Sequence, residues 1–283
     1  MVKITFVRHG ESVDNLKDVW AGSKDSPLTN HGMRQAEHLA LSFSSLPITA
    51  IYTSNLGRAQ LTAKAILAAQ PPSNKVPLHT SELLQEQSFG AAEGKSYKVK
   101  RNEKMTTAEH YARGIFPTVY NRNERFPGGE SKNDVAARAR RFLDEVLMPY
   151  VWQEDVEKNA DESGSSDDGP GLPKKPIHIV IVSHGLFIPE LVALLAMKDE
   201  KMAGKEADVR TNVRGMRNTA WTRVEFGFKR TEEANATVEK TLKIRFTHVN
   251  VSPHLEKLQR QKGGIARLAH DPAQKDIRTF FAR

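Results

Sequence analysis

Val2-Lys3-Ile4-Thr5-Phe6-Val7-Arg8-His9-Gly10-Glu11-Ser12 opens the chain with an apolar run that ends on a histidine and a glycine. Far downstream, Ile177-His178-Ile179-Val180-Ile181-Val182-Ser183-His184-Gly185 repeats the design. Each run reads as a buried strand with a His-Gly pair at its carboxyl end. In an open α/β sheet, ligands bind at that edge. The glycine after each histidine lets the backbone turn sharply and leaves the imidazole uncrowded. The rest of the chain is expected to bring these two strand ends together.

At 283 residues, 39% hydrophobic and 27% charged, the composition is that of an ordinary globular protein able to bury a full core. No run approaches the roughly 18 apolar residues of a membrane helix, and the start leads almost directly into a strand, so neither a membrane span nor secretion is expected. Cytosol or nucleus is the expected compartment. There are no cysteines, which removes disulfides, thiolate catalysis and cysteine-bound zinc. The net charge of +8 favours phosphorylated ligands or polyanions. Much of that charge lies in runs such as Lys98, Lys100, Arg101 and Arg138, Arg140, Arg141. These read as solvated faces rather than a nucleic-acid surface, because no aromatic residues alternate with them.

Thr29 is a plausible N-cap for a helix over residues 30–44, with Ala36, Leu39, Ala40 and Phe43 at helical spacing. Residues 50–53 read as the next strand, and Ser54-Asn55 opens a second helix with Arg58 on its first turn. That position, at a helix amino terminus and a strand's carboxyl end, suits an anion. Residues 77–130 read as irregular cover over the site, with one or two helices. A helix is expected from Ser131 to about Tyr150, its arginines outward. Residues 157–176 read as a disordered acidic insertion within one domain. Residues 220–228 and 242–249 alternate as a late antiparallel pair. The domain is read as 1–251, followed by a basic tail over 252–283.

An imidazole can attack phosphorus and hold the phosphoryl group covalently. Arg8 and Arg58 can grip its oxygens with planar forks that stay charged at any working pH. The leaving alkoxide needs a proton. Glu82, Glu86 and Glu93 are candidate donors, and Glu86 has the densest local context. His31, His38, His79, His110, His178, His248, His254 and His270 read as surface or packing residues, Trp20, Trp152 and Trp221 read as packing rather than cofactor contacts, and Glu130 reads equally well as support for the pocket.

Arg8-His9-Gly10-Glu11-Ser12 with Asn15, Pro27-Leu28-Thr29-x-x-Gly32-x-x-Gln35-Ala36, Ser54-x-x-x-Arg58-Ala59-x-x-Thr62-Ala63, Glu86-x-x-x-Gly90-x-x-Glu93-Gly94, Pro127-Gly128-Gly129-Glu130-Ser131 and Ser183-His184-Gly185 together resemble the histidine phosphatase, or phosphoglycerate mutase-like, superfamily. The resemblance covers roughly residues 1–250. It implies a three-layer α/β/α sandwich around a mostly parallel sheet, and a phosphoric monoester hydrolase with no metal and no cofactor. Carried over by position, it implies His9 as the phosphorylated nucleophile and Glu86 as the proton donor. Arg8, Arg58 and His184 complete the phosphate pocket, and Asn15, Gly185 and Asn218 contribute to binding.

The resemblance is to the phosphatase branch, fructose-2,6-bisphosphatase-type members included, because residues 95–126 lack the element by which mutases hold a second phosphate. The implied substrate is a small phosphorylated metabolite, a sugar phosphate or bisphosphate, and Arg101, Arg113, Arg122 and Arg125 are candidates for a second anion site. Phosphoglycerate mutase activity, or an interaction protein that keeps the fold, are the alternatives. Gln274-x-x-Ile277-x-x-Phe280-Phe281 resembles the peptide that binds the sliding clamp, proliferating cell nuclear antigen (PCNA). Alternatively, its two phenylalanines fold back on the domain.

Overall fold

The two apolar runs form neighbouring parallel strands. In a computed structural model, which describes residues 1–162, 176–232, 238–262, 264–271 and 273, the sheet comprises β1 (Val2–Arg8), β2 (Ala50–Ser54), β3 (Leu78–Ser81), β4 (His178–Ser183), β5 (Trp221–Glu232) and β6 (Val238–Val251). Their order is β3-β2-β4-β1-β5-β6. The β3, β2, β4 and β1 strands are parallel, and β5 and β6 add an antiparallel hairpin at one side. The helices are α1 (Asn30–Phe43), α2 (Gly57–Ala68), α3 (Thr107–Ala112), α4 (Lys132–Phe142), α5 (Met148–Glu162), α6 (Phe187–Ala196) and α7 (Glu206–Val213).

Alternation along β4 builds the three layers. Ile179 and Ile181 enter a core with α4, α6 and α7 on one face, whereas Val180 and Val182 enter a second core with α1 and α2 on the other. All six residues of β4 are buried, as expected of a central parallel strand. Each fully buried Val, Leu, Ile or Phe contributes about 1.5–3 kcal/mol. Register then decides the site. Arg8 pairs with Ser183, so His9 and His184 leave neighbouring strands at the same level of the same edge. Thr53 of β2 pairs with Val182, which brings the amino terminus of α2 to that edge too.

Several boundaries differ from the sequence reading. Helix α4 ends at Phe142, continues as a π-helical turn over Leu143–Leu147, and passes into α5. Pro149, which lacks an N–H, lies just beyond the widened turn. The helix reaches Glu162, inside the stretch expected to be an insertion, and the centre of that stretch lies outside the described residues. Strand β3 was not foreseen, and the β5–β6 hairpin is longer than the alternation suggested.

The stretch read as a basic tail is partly folded onto the domain. Residues 253–262 and 264–271 pack on α1: Leu268 O accepts from Asn30 N at 2.9 Å, Leu28 O accepts from His270 N at 2.7 Å, and Ala266 is buried. The clamp-binding resemblance at Gln274, Ile277, Phe280 and Phe281 falls outside the described residues. Among the described residues, no helix is long and apolar enough to cross a membrane.

Candidate active site

Two glycines set the shape of the His9 turn. A Cβ on Gly10 would lie 2.5 Å from Gly32 O, and one on Gly32 would lie 2.0 Å from Glu11 O. Close approach of the first turn of α1 is therefore the reason for Gly10, rather than an unusual backbone angle. At Gly185 a Cβ would sit at ordinary contact distance from Arg8, so that glycine is not sterically required. The motif residues around Gly10 have equally local jobs. Thr29 caps α1, its hydroxyl accepting from Gly32 N; Gln35 Oε1 accepts from Glu11 N at 2.9 Å; and Thr62 Oγ1 accepts from Gly10 N at 3.0 Å.

His9 and His184 face each other with ring centroids 5.0 Å apart. The Nδ1 atom of His9 lies 2.6 Å from Gly10 O. A carbonyl can only accept, so Nδ1 carries the proton and Nε2 of the neutral ring bears the lone pair. Both rings are held well below the ordinary histidine pKa, first by burial and then by the charge of Arg58, with Arg8 adding to it. Arg8 and His184 between them hold three buried polar atoms with no partner: Arg8 Nε, His184 Nδ1 and His184 Nε2. Unpaired buried donors are rare and costly, and here they line one spot.

The two arginines are anchored without being used up. Arg8 Nη1 donates to Met216 O at 2.6 Å. Arg58, only 2% exposed, donates from Nη1 to Lys24 O and from Nη2 to Gly22 O, both at 2.7 Å. Each of its terminal nitrogens keeps a second N–H. Asn15 Oδ1 accepts from Ser12 N and from Asn218 Nδ2, and the same Asn218 amide donates to His9 O at 3.1 Å. Asn15 and Asn218 therefore brace each other beside the histidine.

Of the three candidate acids, Glu86 is the one at the pocket. Its carboxylate accepts from Leu186 N at 3.2 Å, two residues past His184, and its charge acts on both Arg8 and Arg58. Glu82 is exposed. Glu93 is engaged by Ser23 N at 2.8 Å, Ser23 Oγ at 2.9 Å and Phe89 N at 3.1 Å, and it ties two loops together.

The sequence reading placed Arg138 on a solvated face, but it points inward. It forks onto Glu130 at 2.8 and 2.9 Å and donates to the carbonyls of Leu83, Gln85 and Glu86. Glu130 in turn accepts from Ser88 N at 3.0 Å, so it supports the acid's loop. Arg122, a candidate for a second anion, is committed to Glu190 at 2.9 and 2.7 Å. Arg125 pairs with Asp134, and Arg101 donates to Thr107 Oγ1. Trp20 packs on Phe89 and Phe126 as expected, whereas Trp152 is exposed.

Two neutral imidazoles among guanidinium groups and a carboxylate, at the carboxyl edge of a mostly parallel sheet, define an enzyme of phosphoryl transfer. The model of the histidine phosphatase superfamily (branch 1) matches residues 4–154. The chain belongs to that superfamily, and it is a phosphatase. It is 28% identical to fructose-2,6-bisphosphatase TIGAR B of Danio rerio over 267 residues, 90% of this chain and 97% of the relative. It is 33% identical to 2,3-bisphosphoglycerate-dependent phosphoglycerate mutase 2 of Gloeobacter violaceus over 152 residues, 53% of this chain and 66% of the relative. A solved mycobacterial glucosyl-3-phosphoglycerate phosphatase in complex with VO3 matches with a TM-score of 0.59 and 22% identity, covering 89% of this chain and 100% of that one. At that identity the likeness is one of fold.

Proposed function

We propose that this phosphatase hydrolyses a small phosphorylated metabolite, a sugar phosphate or bisphosphate, through a phosphohistidine on His9 and without a metal. The observation that carries the reading is the group of buried, unpartnered polar atoms, Arg8 Nε and both ring nitrogens of His184, beside a His9 ring whose tautomer leaves Nε2 free.

In the first step His9 Nε2 attacks phosphorus and the P–O bond to the leaving group breaks, while Glu86, entering the step as the carboxylic acid, gives its proton to the departing oxygen. In the second, Glu86 takes a proton from water, the oxygen attacks phosphorus, the N–P bond breaks and inorganic phosphate leaves. Arg8 and Arg58 stabilise the charge on the transferring oxygens in both steps. The depressed basicity of His9 keeps its lone pair available at neutral pH.

In the bisphosphate form of this reading, the leaving group carries a second anionic group. A cavity lined by Gln87, Lys132, Val135, Leu186, Pro189, Glu190 and Arg214 shares two walls with Glu86: Leu186 N and Gln87 N both donate to its carboxylate. Burial lowers the pKa of Lys132, and the charges of Arg214 and Arg122 lower it further. The carboxylates of Glu190 and Glu124 offset part of that crowding, and an anionic group of the substrate at the mouth of the cavity would offset more. The names of the relatives, which speak of bisphosphate and phosphoglycerate, fit a second anion.

The test is rapid-quench trapping with radiolabelled aryl phosphate and with sugar bisphosphates, in the presence and absence of EDTA. Acid-labile label on His9, absent from His9→Ala, with phosphate release indifferent to EDTA, is expected. Turnover with no label on His9, or no turnover of any ester, overturns the proposal. An isomer in place of free phosphate would overturn the hydrolytic step as well.

A further inference from the structure

The segment after β6 does more than cover α1. Two of its side chains reach the turn that carries His9, one from each side. Arg260 forks onto the carboxylate of Glu11, with Nη1 3.0 Å from Oε1 and Nη2 on Oε2. Glu11 is only 7% exposed and is held at every polar group. Its N–H donates to Gln35 Oε1, its carbonyl accepts from Thr29 N at 2.8 Å, and its Oε1 accepts from Thr29 Oγ1 at 2.8 Å. The next residue back is Gly10, whose carbonyl holds the tautomer of His9.

On the other side, His254 Nε2 lies 2.9 Å from Thr219 Oγ1. That hydroxyl already donates its proton to Asn218 O at 2.7 Å, so His254 is the donor. Thr219 holds an unusual positive φ of 58°, and its N–H is shared between the carbonyls of Arg8, at 3.0 Å, and His9, at 3.2 Å. A non-glycine residue keeps such a backbone only where its surroundings over-determine it.

We propose that the segment after β6, over residues 253–262 and 264–271, braces the His9 turn, with Arg260 and His254 as positioning residues for phosphoryl transfer to His9, through Glu11 on one flank and Thr219 on the other. This rests on His9 being the nucleophile. Neither side chain touches the reacting atoms. Each limits the drift of the Arg8-His9-Gly10 backbone on which in-line attack depends.

The test compares Arg260→Ala, Arg260→Lys and Arg34→Ala in the full chain. Arg34 donates to Gln259 O on the same segment, at 3.4 Å, but does not reach the His9 turn. Two readouts are taken: hydrogen exchange of the amides of residues 9–12, which needs no substrate, and kcat with KM on an aryl phosphate. Arg260→Ala is expected to accelerate exchange at residues 9–12 and to lower kcat by about 10–100-fold with KM within a few-fold, because a misplacement of order 1 Å costs about 10²-fold. Arg260→Lys recovers part of the loss, keeping the charge but not the fork. Arg34→Ala keeps wild-type kcat. Unchanged exchange at residues 9–12 in Arg260→Ala, or unchanged kcat in an active enzyme, overturns the brace. An inactive wild type whose amides still loosen in Arg260→Ala would sink the phosphohistidine reading and uphold the structural link.

Discussion

Arg138→Ala tests how the proton donor is held. Arg138 and Glu130 expose 17% and 26% of their side chains. Removing the guanidinium leaves the Glu130 carboxylate without its fork and the carbonyls of Leu83 and Gln85 without a donor. Breaking a fully buried pair costs about 3–5 kcal/mol, and partial exposure reduces this to about 2–3 kcal/mol. In a domain of this size that lowers Tm by roughly 5–10 °C. The effect on chemistry is separate and of similar size in free energy. The loop from Leu83 to Glu86 loses its clamp, and a displaced acid costs about 10²-fold in kcat.

The loss depends on the ester. A good phenolate leaving group departs without protonation, whereas an alkyl alkoxide needs the proton of Glu86. Steady-state rates well below the Tm, on an activated aryl phosphate and on an alkyl phosphate, should therefore show a small deficit for the first and the full deficit for the second. Arg138→Lys restores charge but not the fork, and should recover little. A folded Arg138→Ala that hydrolyses both esters in the wild-type ratio would refute the reasoning.

Acid should destabilise the fold through its neutral buried histidines. His178 is lowered from 6.5 to about 3, mainly by burial, so below pH 6.5 the unfolded chain binds a proton that the folded one refuses, and stability falls as pH falls. The loss between pH 7 and pH 5 is about 2 kcal/mol for this residue alone. His254, lowered to about 4, acts in the same direction. Urea unfolding at the two pH values checks this, and His178→Gln should flatten the dependence. Gly10→Ala forces a methyl against Gly32 O, where it would sit at 2.5 Å, and overpacking of backbone costs about 1–3 kcal/mol. Differential scanning calorimetry and kcat should both register it. Lys132→Glu and Arg214→Glu should raise KM several-fold for a sugar bisphosphate while leaving kcat/KM near wild type for an aryl phosphate whose aryl group is uncharged; an equal change for both substrates would count against a second anion at that cavity.

The strand ends and the motifs were legible because their information is local. An apolar run followed by His-Gly reads as a buried strand with a ligand edge, and Thr29, Gly32, Gln35 and Thr62 stand at fixed spacings that the fold then uses against Glu11 and Gly10. Helix ends were less legible. The π-helical turn before Pro149 and the extension of α5 depend on packing against the sheet, and β3 is a four-residue strand whose residues lie among irregular segments.

By itself the sequence determined that two histidines, two arginines and a glutamate would converge at the carboxyl edge of a mostly parallel sheet. Strand periodicity and the His-Gly ends are properties of neighbouring residues. Only the tertiary structure decided which of the many other charges belong to the site. Arg138 reaches Leu83 across 55 positions, and Arg260 reaches Glu11 across 249. A guanidinium on a helix or in a polar segment looks the same in sequence whether it faces water or a buried carboxylate. Its role is set by what the folded chain places opposite it, and no spacing rule carries that information.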